Sequence, residues 1–594
     1  MPNERDVVLI ERDESGSIVA RYGHSTAGAG TRAAATEKLA PQRRRPLLQQ
    51  LITIFLPAGF PASVTEDYVG YQIFDSLQAF SSSIASLLTS RAVLQGAASF
   101  FRIQLRGYRY SAQGRGKIAN PKTGFGVGCG PYLLYFHCPP VAQCRPFLTP
   151  RCLLRYRDAN ASATSALLLT IVQDSVGRVA TILFAYKFGP ALEAECKTYR
   201  FLADIFNDSA MVMDCLSPVL PRLARVGLLC VSGSLRALCG VAGGASKASL
   251  SVHFAKSGNV GELNAKDSSQ ETVISLMGML VGSFVVSHIT SPAATWIALI
   301  SLLAVHLATN YKAVRCVAMR TLNRQRTCIV VSQFQQTGIV LTPKEVSRRE
   351  RVLEHDGILR WGEHSVLGFG DVGVQFATVL ASLTVEVASF DDNASRRWIQ
   401  EVAAIFRMQK YMLWPATTMG RRRLLLAGSS LPTVYICLKV GATANDQVRA
   451  WSHALLVAKE LVSRRQRRTR QSYDKKSDDD DGGMAVVSVV SERVAVLQVT
   501  MDEMDGKFAA LASQLAEKGW DLDTACIETR SGFRITVIDA DHDENPDHDH
   551  DPGEVPGTRE ARADGSSSSS SSDGGVVETK TESPPAYRES KKAV

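Results

Sequence analysis

The sequence predicts a mainly α protein: a membrane-associated helical bundle, then a C-terminal α+β domain, with disordered tails at the two ends. Three observations support this class. A long uncharged segment lies between Thr272 and Tyr311, helical patterns with small residues surround it, and strand-like patterns begin only after Arg326. The mean hydropathy of −0.02 therefore averages an apolar middle with very polar ends.

The uncharged segment has room for two membrane-spanning helices. It contains about forty residues, and one helix needs about twenty to cross a bilayer. Ser291-Pro292 interrupts it, so the segment predicts a helical hairpin. Ser268 to Glu271 reads as a capping box at the start of the first helix. The alternative is a hairpin buried in a soluble core, because serine and histidine side chains dilute the apolar pattern.

Basic residues follow the hairpin, whereas its turn carries no charge. The positive-inside rule then places both ends of the hairpin on the cytosolic side or its equivalent, and membrane lipid becomes the first expected partner. The basic residues are Lys312, Arg315, Arg320, Arg324 and Arg326.

Two glycine pairs have the spacing of close helix packing. They are Gly240 with Gly244 and Gly278 with Gly282, and each leaves one helix face slim enough for a second helix to approach.

Composition argues against several functional classes. The net charge is +9, but the basic residues are scattered without interleaved aromatic residues, so we expect no nucleic-acid partner. The twelve cysteines form no CxxC pair, which predicts reduced thiols in the core and no metal site. The N-terminus shows no signal or transit peptide, so an internal segment is expected to direct membrane insertion.

Composition also predicts the domain boundaries. The expected segments are a disordered basic arm (1–46), a helical membrane domain (47–326), a soluble α+β region (327–470), a charged linker (471–484), a small α/β unit (485–540) and a disordered acidic, Ser-rich tail (541–594). Within the second, residues 97–157 lack helical or strand periodicity, and loops of that length are rare in compact domains.

In the C-terminal half we expect a short strand in TCIVVSQFQQTGIVL, a helix from Pro343, a turn at Gly368-Phe369-Gly370 and a strand in TVYICLKV. A helix capped by Asn445 or Asp446 follows. In the terminal unit the helix DGKFAALASQLAEKG lies between VAVLQVTMDEM and GFRITVI.

Several unusual strings carry a family resemblance. They include FLPAGFPASVTEDYVGYQIFDSLQAF, ILFAYKFGPALEAECKTYRFLADIFND, GSLRALCGVAGGASKASLSVHFA and LTPKEVSRRERVLEHDGILRW. The chain resembles the Root UV-B Sensitive family, also called the vitamin B6 photoprotection and homeostasis family, over most of residues 50 to 540. The resemblance implies a membrane-associated protein linked in plants to UV-B tolerance, early seedling development and vitamin B6 homeostasis. We further expect a multi-pass topology and a homo- or hetero-oligomer with members of this family.

One segment departs from that family. There, the equivalent of Val93-Leu94-Gln95-Gly96 runs almost directly into the equivalent of Asp158-Ala159-Asn160. We therefore interpret residues 97–157 as an aberrant insertion, either a translated intron or an error in the gene model.

Four polar residues lie in segments that could be intramembrane: Asp174, Arg178, His288 and His306. Ionisable groups inside a membrane mark functional sites by default, and here they would indicate a site for a small anionic solute. The alternative for Asp174 and Arg178 is an ordinary surface bridge, because they are spaced i,i+4 on one helix.

A cofactor site is the second candidate. Backbone N–H groups at Gly243 and Gly244 could hold a phosphate, and Lys247 could form a Schiff base with pyridoxal phosphate. The string lacks the spacing of a phosphate loop, so helix packing is the plainer explanation.

The tail contains a PPxY string at Pro584, Pro585 and Tyr587. WW domains clamp such strings, so a WW-domain protein is an expected partner, although short motifs also arise by chance.

Three functions follow from these features. The chain could be a non-catalytic membrane component that binds or carries a small solute, a membrane-docked scaffold that recruits partners through its C-terminal domain and tail, or an enzyme of vitamin B6 metabolism. The sequence offers no nucleophile–base pair or paired acids, so we rank the enzyme last.

Overall fold

The computed structural model describes residues 8–12, 18–23, 37–38, 55–112, 163–354, 356–386, 392–416, 431–474, 485–530 and 532–537. Long helices dominate the first half, and a mixed sheet covered by helices dominates the second. The disordered tail and the PPxY string predicted from the sequence lie outside the described residues, as does most of the proposed insertion.

In the described residues of the first half, six long helices are present. They are α1 (Tyr68–Ala112), α2 (Ala163–Ala194), α3 (Cys196–Leu216), α4 (Arg222–Phe254), α5 (Val260–His288) and α6 (Pro292–Cys316). Helix α1 packs against α3, α5 and α6, while α4 packs against α2 and α3. Helix α1 is therefore central to the bundle.

The hairpin break falls where the sequence predicts it. Helix α5 ends at His288 and α6 begins at Pro292, with the Ser291 hydroxyl accepting the backbone N–H of Ala294 at 3.1 Å. The predicted capping box is not a helix start, because α5 already begins at Val260 and Ser268 to Glu271 lie inside it. Glu271 instead pairs with Lys247 of α4 at 3.1 Å.

The glycine pair of α5 lies against α1. A Cβ atom on Gly278 would come within 2.7 Å of the Ser83 Cβ and 2.9 Å of the Phe80 carbonyl oxygen, and one on Gly282 within 2.8 Å of the Leu87 Cδ1. On α4, a Cβ atom on Gly240 would meet no described atom within 4 Å beyond its own helix backbone and chain neighbours, and Gly244 lies within the same helix.

The second half contains a mixed five-stranded sheet. Strand β6 (Ser365–Val372) pairs with β5 (Ile358–Trp361) antiparallel and with β8 (Thr433–Lys439) parallel. Strand β8 also pairs with β7 (Tyr411–Ala416) antiparallel and with β10 (Arg534–Ile535) parallel. The accompanying helices are α7 (Arg324–Thr337), α8 (Pro343–Arg349), α9 (Phe376–Glu386), α10 (Asp392–Ile405), α11 (Ala444–Asp474) and α12 (Ala485–Glu517).

A short parallel pair joins the first half to the end of the second. Strand β4 (Thr321–Asn323) pairs with β9 (Asp521–Cys526), and the Trp451 Nε1 of α11 donates to the Arg324 carbonyl at 3.0 Å. The chain through Val537 consequently forms one compact unit. The regions expected at 327–470 and 485–540 are thus parts of one core.

Three local expectations for the C-terminal half differ from the structure. The segment expected to hold a short strand is α7, because it packs one apolar face against the core. Gly368-Phe369-Gly370 lies in strand β6, not in a turn, and a Cβ on Gly370 would come within 2.6 Å of the Trp451 ring. The cap of α11 is also shifted: the Thr443 hydroxyl accepts the Asp446 N–H at 3.2 Å.

The N-terminal arm also differs from the expectation of disorder. It contains β1 (Val8–Arg12), β2 (Ile18–Gly23) and β3 (Glu37–Lys38) in one antiparallel sheet. In the sequence, two short runs that contain Val and Ile flank the string DESGS, which is a sequence pattern typical of a hairpin.

Candidate functional site

The helical bundle exposes apolar side chains and buries charged ones. Helices α4, from Leu223, α5 and α6 are long and apolar enough to cross a membrane. Large apolar side chains on them point outward, such as Phe284, which is 67% exposed. Helix α2 adds a row of exposed aliphatic residues, among them Ile182 and Leu183. This is the reverse of the usual arrangement in soluble proteins.

Eight buried or half-buried polar side chains of the bundle form one set, which we call the polar seam. It runs between α1, α3 and α6, and its members bond to one another across these helices. The polar seam consists of Tyr71, Asp75, Gln78, Arg200, Asp204, Asp208, His306 and Asn310.

Helix α3 supplies the centre of the polar seam. Arg200, Asp204 and Asp208 are spaced by four residues, which places them on one helix face. That face points into the bundle, and Asp204 and Asp208 are each only 5% exposed. Buried carboxylates require partners, because an uncompensated buried charge is costly.

One end of the polar seam is an arginine–carboxylate pair. The Arg200 Nη2 lies 2.6 Å from the Asp75 Oδ1, and its Nε donates to the Tyr71 hydroxyl at 3.2 Å. The Tyr71 hydroxyl in turn donates to the same Asp75 oxygen at 3.2 Å. At this end the positive charge of Arg200 balances the negative charge of Asp75.

The other end is centred on His306, which is 1% exposed. Its Nδ1 lies 2.9 Å from the Asp208 Oδ2, and its Nε2 lies 3.8 Å from the Asp204 Oδ2. The Asp204 Oδ2 also accepts hydrogen bonds from the side-chain amides of Gln78 and Asn310. A single imidazole is thus placed between two buried carboxylates.

The polar seam contains more acidic than basic groups. Asp75, Asp204 and Asp208 provide three carboxylates, while Arg200 provides the permanent positive charge. Coulomb attraction inside a bundle then favours a cation or a neutral donor over an anion. This differs from the anionic solute expected from the sequence.

Lys247 belongs to a separate group between α4 and α5. Its Nζ lies 2.6 Å from the Asp267 Oδ2 and 3.1 Å from the Glu271 Oε2. Gly243 and Gly244 lie inside α4, so their backbone N–H groups belong to the helix and form no loop for a phosphate. A lysine paired with two carboxylates is held as an ammonium ion, which is not the nucleophilic form.

A buried ion-pair triad links α3 to the C-terminal half. The Lys197 Nζ lies 2.5 Å from the Glu350 Oε2, and the Arg326 Nε lies 2.9 Å from the Glu350 Oε1. Arg315 of α6 donates to the backbone carbonyls of Arg348 and Glu350 at 2.8 and 3.2 Å.

Some basic residues predicted as membrane anchors are therefore internal. Arg326 is 1% exposed, and Arg324 is buried with its Nη1 at 2.5 Å from the Asp356 Oδ1. Their acidic partners are Asp356 and Glu350. These ion pairs connect the start of α7 to the segment that follows α8.

Glu195 lies at the same junction and titrates near neutrality. Burial raises the pKa of its carboxyl from 4.5 to about 7, partly offset by Arg326, while the Asn323 amide donates to it at 3.0 Å. The folded protein then holds a proton that the unfolded chain releases. The resulting stability is fully present below the unfolded pKa of 4.5 and is lost as the pH rises through about 7.

We expect Glu195→Gln to remove this pH dependence. The apparent Tm of the unsubstituted protein should fall between about pH 5 and pH 8, and that of the Gln variant should fall less. Thermal unfolding across this range measures the effect. Glu193→Gln, at an exposed neighbouring position, is the control and should keep the full slope; equal slopes for all three proteins would contradict the account.

His453 illustrates a buried histidine with a structural role. Burial lowers its pKa to about 3, so it is neutral, and its ring nitrogens lie 3.2 Å from the Tyr411 hydroxyl and 2.9 Å from the Thr500 hydroxyl. It fixes α11 between β7 and α12.

A surface cleft of about 350 Å³ lies beside α7. Arg349 donates to the Gln333 amide oxygen at 3.0 Å, Arg351 to the Glu363 carbonyl at 2.7 Å, and Arg360 pairs with Glu354 at 3.0 Å. These three arginines are therefore already engaged by the protein.

The four polar residues singled out from the sequence are not gathered at one site. His306 is in the polar seam. Asp174 is half-buried and Arg178 exposed on α2, and His288 is exposed at the end of α5, where its Nδ1 lies 2.9 Å from the Phe284 carbonyl oxygen. Pro584, Pro585 and Tyr587 lie outside the described residues.

Most residues of the polar seam are not predicted from the sequence. Arg200, Asp204 and Asp208 belong to a helix whose sequence is too charged to span a membrane, and no sequence motif marks Asp75 or Gln78. A usable signal was present: acidic residues four apart on a helix beside three apolar helices can be partners of His306 and Asn310.

Two family models match the chain. One, described as a vitamin B6 photo-protection and homoeostasis domain, matches residues 41–128 and 152–338. The other, described as the C-terminal part of root UVB sensitive protein, matches residues 416–530. The first match leaves out residues 129–151, which lie within the proposed insertion.

Curated relatives carry the same family names. "RUS family member 1" of Dictyostelium discoideum is 33% identical over 307 residues, 51% of this chain and 47% of that protein. "Protein root UVB sensitive 3" of Arabidopsis thaliana is 32% identical over 307 residues, 51% of this chain and 56% of that protein. "Protein root UVB sensitive 2, chloroplastic" of the same organism is 25% identical over 314 residues, 52% of this chain and 58% of that protein.

The chain spans about half the length of the curated relatives it matches. No solved structure matches the chain.

Proposed function

Because the chain belongs to the root UVB sensitive family and carries its vitamin B6 photo-protection and homoeostasis domain, we propose that it is a non-catalytic membrane component that binds or carries a small solute through its polar seam. The observation that supports this most strongly is the reversed bundle, with apolar side chains outside and ionisable ones inside. In water that arrangement would expose a large apolar surface, whereas lipid would cover it.

The charge of the polar seam suggests the class of solute. With three carboxylates against one arginine, a cationic molecule with several hydrogen-bond donors fits better than a phosphate ester. Among vitamin B6 compounds, pyridoxamine has donors of this kind: a primary amine, one ring hydroxyl group and one hydroxymethyl group. The side chains of the polar seam now bond to one another, so the solute would replace some of those bonds.

An enzymatic role has weaker support. Lys247 is paired with Asp267 and Glu271, and the glycines beside it are helical. A Schiff-base lysine requires the neutral amine.

Binding of radiolabelled pyridoxamine to the purified full-length protein tests the proposal. We expect saturable binding that Asp204→Asn weakens by about tenfold or more, because a hydrogen bond to a charged group contributes about 1.5–3 kcal/mol. Glu193→Gln, on the exposed surface, should bind as the unsubstituted protein does.

Radiolabelled pyridoxal phosphate is the comparison ligand. Absence of saturable pyridoxamine binding, or stronger binding of the phosphate ester that Asp204→Asn leaves unchanged, would reject the polar seam as the solute site.

A further inference from the structure

The His306 end of the polar seam carries more negative charge than its protein neighbours compensate. Asp204 and Asp208 both lie against one imidazole, whereas the nearby Arg200 is already paired with Asp75. We propose that Asp204, Asp208 and His306 form a proton-binding site, so that the solute traffic proposed above is coupled to a proton. The coupling to a solute rests on the proposed function, whereas the proton-binding site rests on the contacts of these three residues.

The hydrogen bonds of the ring indicate where the proton binds. With Asp208 as a carboxylate, which only accepts hydrogen bonds, the contact of 2.9 Å between the His306 Nδ1 and the Asp208 Oδ2 places a hydrogen on Nδ1. In the neutral ring, Nε2 would then carry a lone pair that faces the Asp204 Oδ2 at 3.8 Å. Two electron-rich atoms in this position repel each other. A proton on Nε2 makes the ring an imidazolium ion and turns both contacts into attractions.

Unpartnered atoms provide an independent indication that something binds here. Among the described residues, the Asp208 Oδ1, the Asn310 Oδ1 and the Gln78 Oε1 are buried and accept no hydrogen bond. All three belong to side chains that bond into this cluster. Buried polar atoms without partners are rare in native structures, so these acceptors favour a proton or a water that carries one.

Other charged groups around the cluster do not remove the excess. Arg200 is paired with Asp75 beside Tyr71, and Lys247 of α4 faces both Asp267 and Glu271 of α5. Farther along α3, Asp214 is paired with Arg236. Each neighbouring cation thus has its own carboxylate.

The binding step is a simple proton transfer. A hydronium ion gives its proton to the Nε2 of His306 and becomes water, and in the reverse step water takes the proton back. With the proton bound, the cluster has one imidazolium ion between two carboxylates. A cationic solute arriving at the same carboxylates would then favour release of the proton, which would couple the two movements.

Nuclear magnetic resonance of the full-length protein with ¹⁵N-labelled histidine tests this site without any solute. The His306 signal is assigned by its loss in His306→Gln, and the exposed His364 serves as the reference, assigned by His364→Gln. We expect His306 to be an imidazolium ion at a pH where His364 is neutral. Asp208→Asn should return His306 to the neutral form, and Glu193→Gln should leave it charged.

Several results would overturn the assignment. A neutral His306 in the unsubstituted protein at the pH where His364 is neutral would do so, and that measurement does not depend on the folding of any Asp variant. An imidazolium signal unchanged in Asp208→Asn would also reject the site. If sodium chloride, compared with choline chloride, displaced the proton from His306, the occupant would be a metal cation.

The outcomes separate this inference from the proposed function. A charged His306 in a protein that does not bind pyridoxamine would reject the solute but retain the proton site. Pyridoxamine binding with a neutral His306 would do the opposite.

Discussion

Glu350→Ala is expected to lower the free energy of unfolding by about 3–5 kcal/mol, because it leaves Lys197 and Arg326 buried without their shared carboxylate. Removing one partner of a buried ion pair is more harmful than the net contribution of the pair, since the remaining charges stay desolvated. Denaturant unfolding of the full-length protein in micelles, followed by tryptophan fluorescence, measures the change.

Two comparisons make that result specific to the triad. Glu363→Ala removes an exposed carboxylate from the same region and should cost less than about 1 kcal/mol. Replacing Lys197, Arg326 and Glu350 together by Met, Met and Leu should recover much of the stability, because no buried charge is left unpaired. A loss of under 1 kcal/mol in Glu350→Ala would mean that the junction is hydrated.

Gly278→Ala is expected to weaken the packing of α5 on α1 by about 1–3 kcal/mol. The new Cβ would lie 2.7 Å from the Ser83 Cβ and 2.9 Å from the Phe80 carbonyl oxygen, and a backbone oxygen inside a helix cannot move cheaply. The two helices must separate, which also loosens the α1 side of the polar seam. Thermal unfolding measured through light scattering or fluorescence reports the loss.

Gly240→Ala is the matched control on α4. It adds a Cβ atom that would meet no described atom within 4 Å beyond its own helix backbone and chain neighbours. The change should therefore be neutral or stabilising by up to about 1 kcal/mol, because Ala has a higher helix propensity than Gly. Equal destabilisation by both substitutions would show that helix propensity or lipid contact, and not packing on α1, determines the effect.

The hairpin shows what could be predicted from the sequence. Its length, its lack of charge and the Ser291-Pro292 break are local features, and each depends on neighbouring residues only. The strand β8 and the helix α11 were predictable for the same reason, since TVYICLKV alternates and Thr443 to Asp446 carry a cap signal. The mainly helical class followed from such local patterns.

The polar seam could not be predicted in the same way. The Gln78 amide and the Asp204 carboxylate are 126 residues apart, and His306 and Asp208 are 98 apart. A charged helix such as α3 has the same pattern whether its polar face meets water or other polar helices. Only the packing of α1 and α6 against it decides between these alternatives.

Tertiary contacts also changed local expectations in the C-terminal half. The β-branched run in TCIVVSQFQQ favours a strand by propensity, but α7 buries Cys328, Ile329 and Val330 against the core. Arg324 and Arg326 resemble membrane anchors in the sequence. In the structure both arginines are buried and form ion pairs with Asp356 and Glu350 respectively.

The most direct test of the account is the side of the membrane on which the α5–α6 turn lies. Ser291→Cys and Ser365→Cys place thiols at two exposed positions, and a membrane-impermeant maleimide applied to sealed vesicles is compared with the unsubstituted protein as background. We predict that the two positions are labelled from opposite sides. If both react from the same side, the hairpin does not cross the bilayer, and the reversed bundle has another explanation.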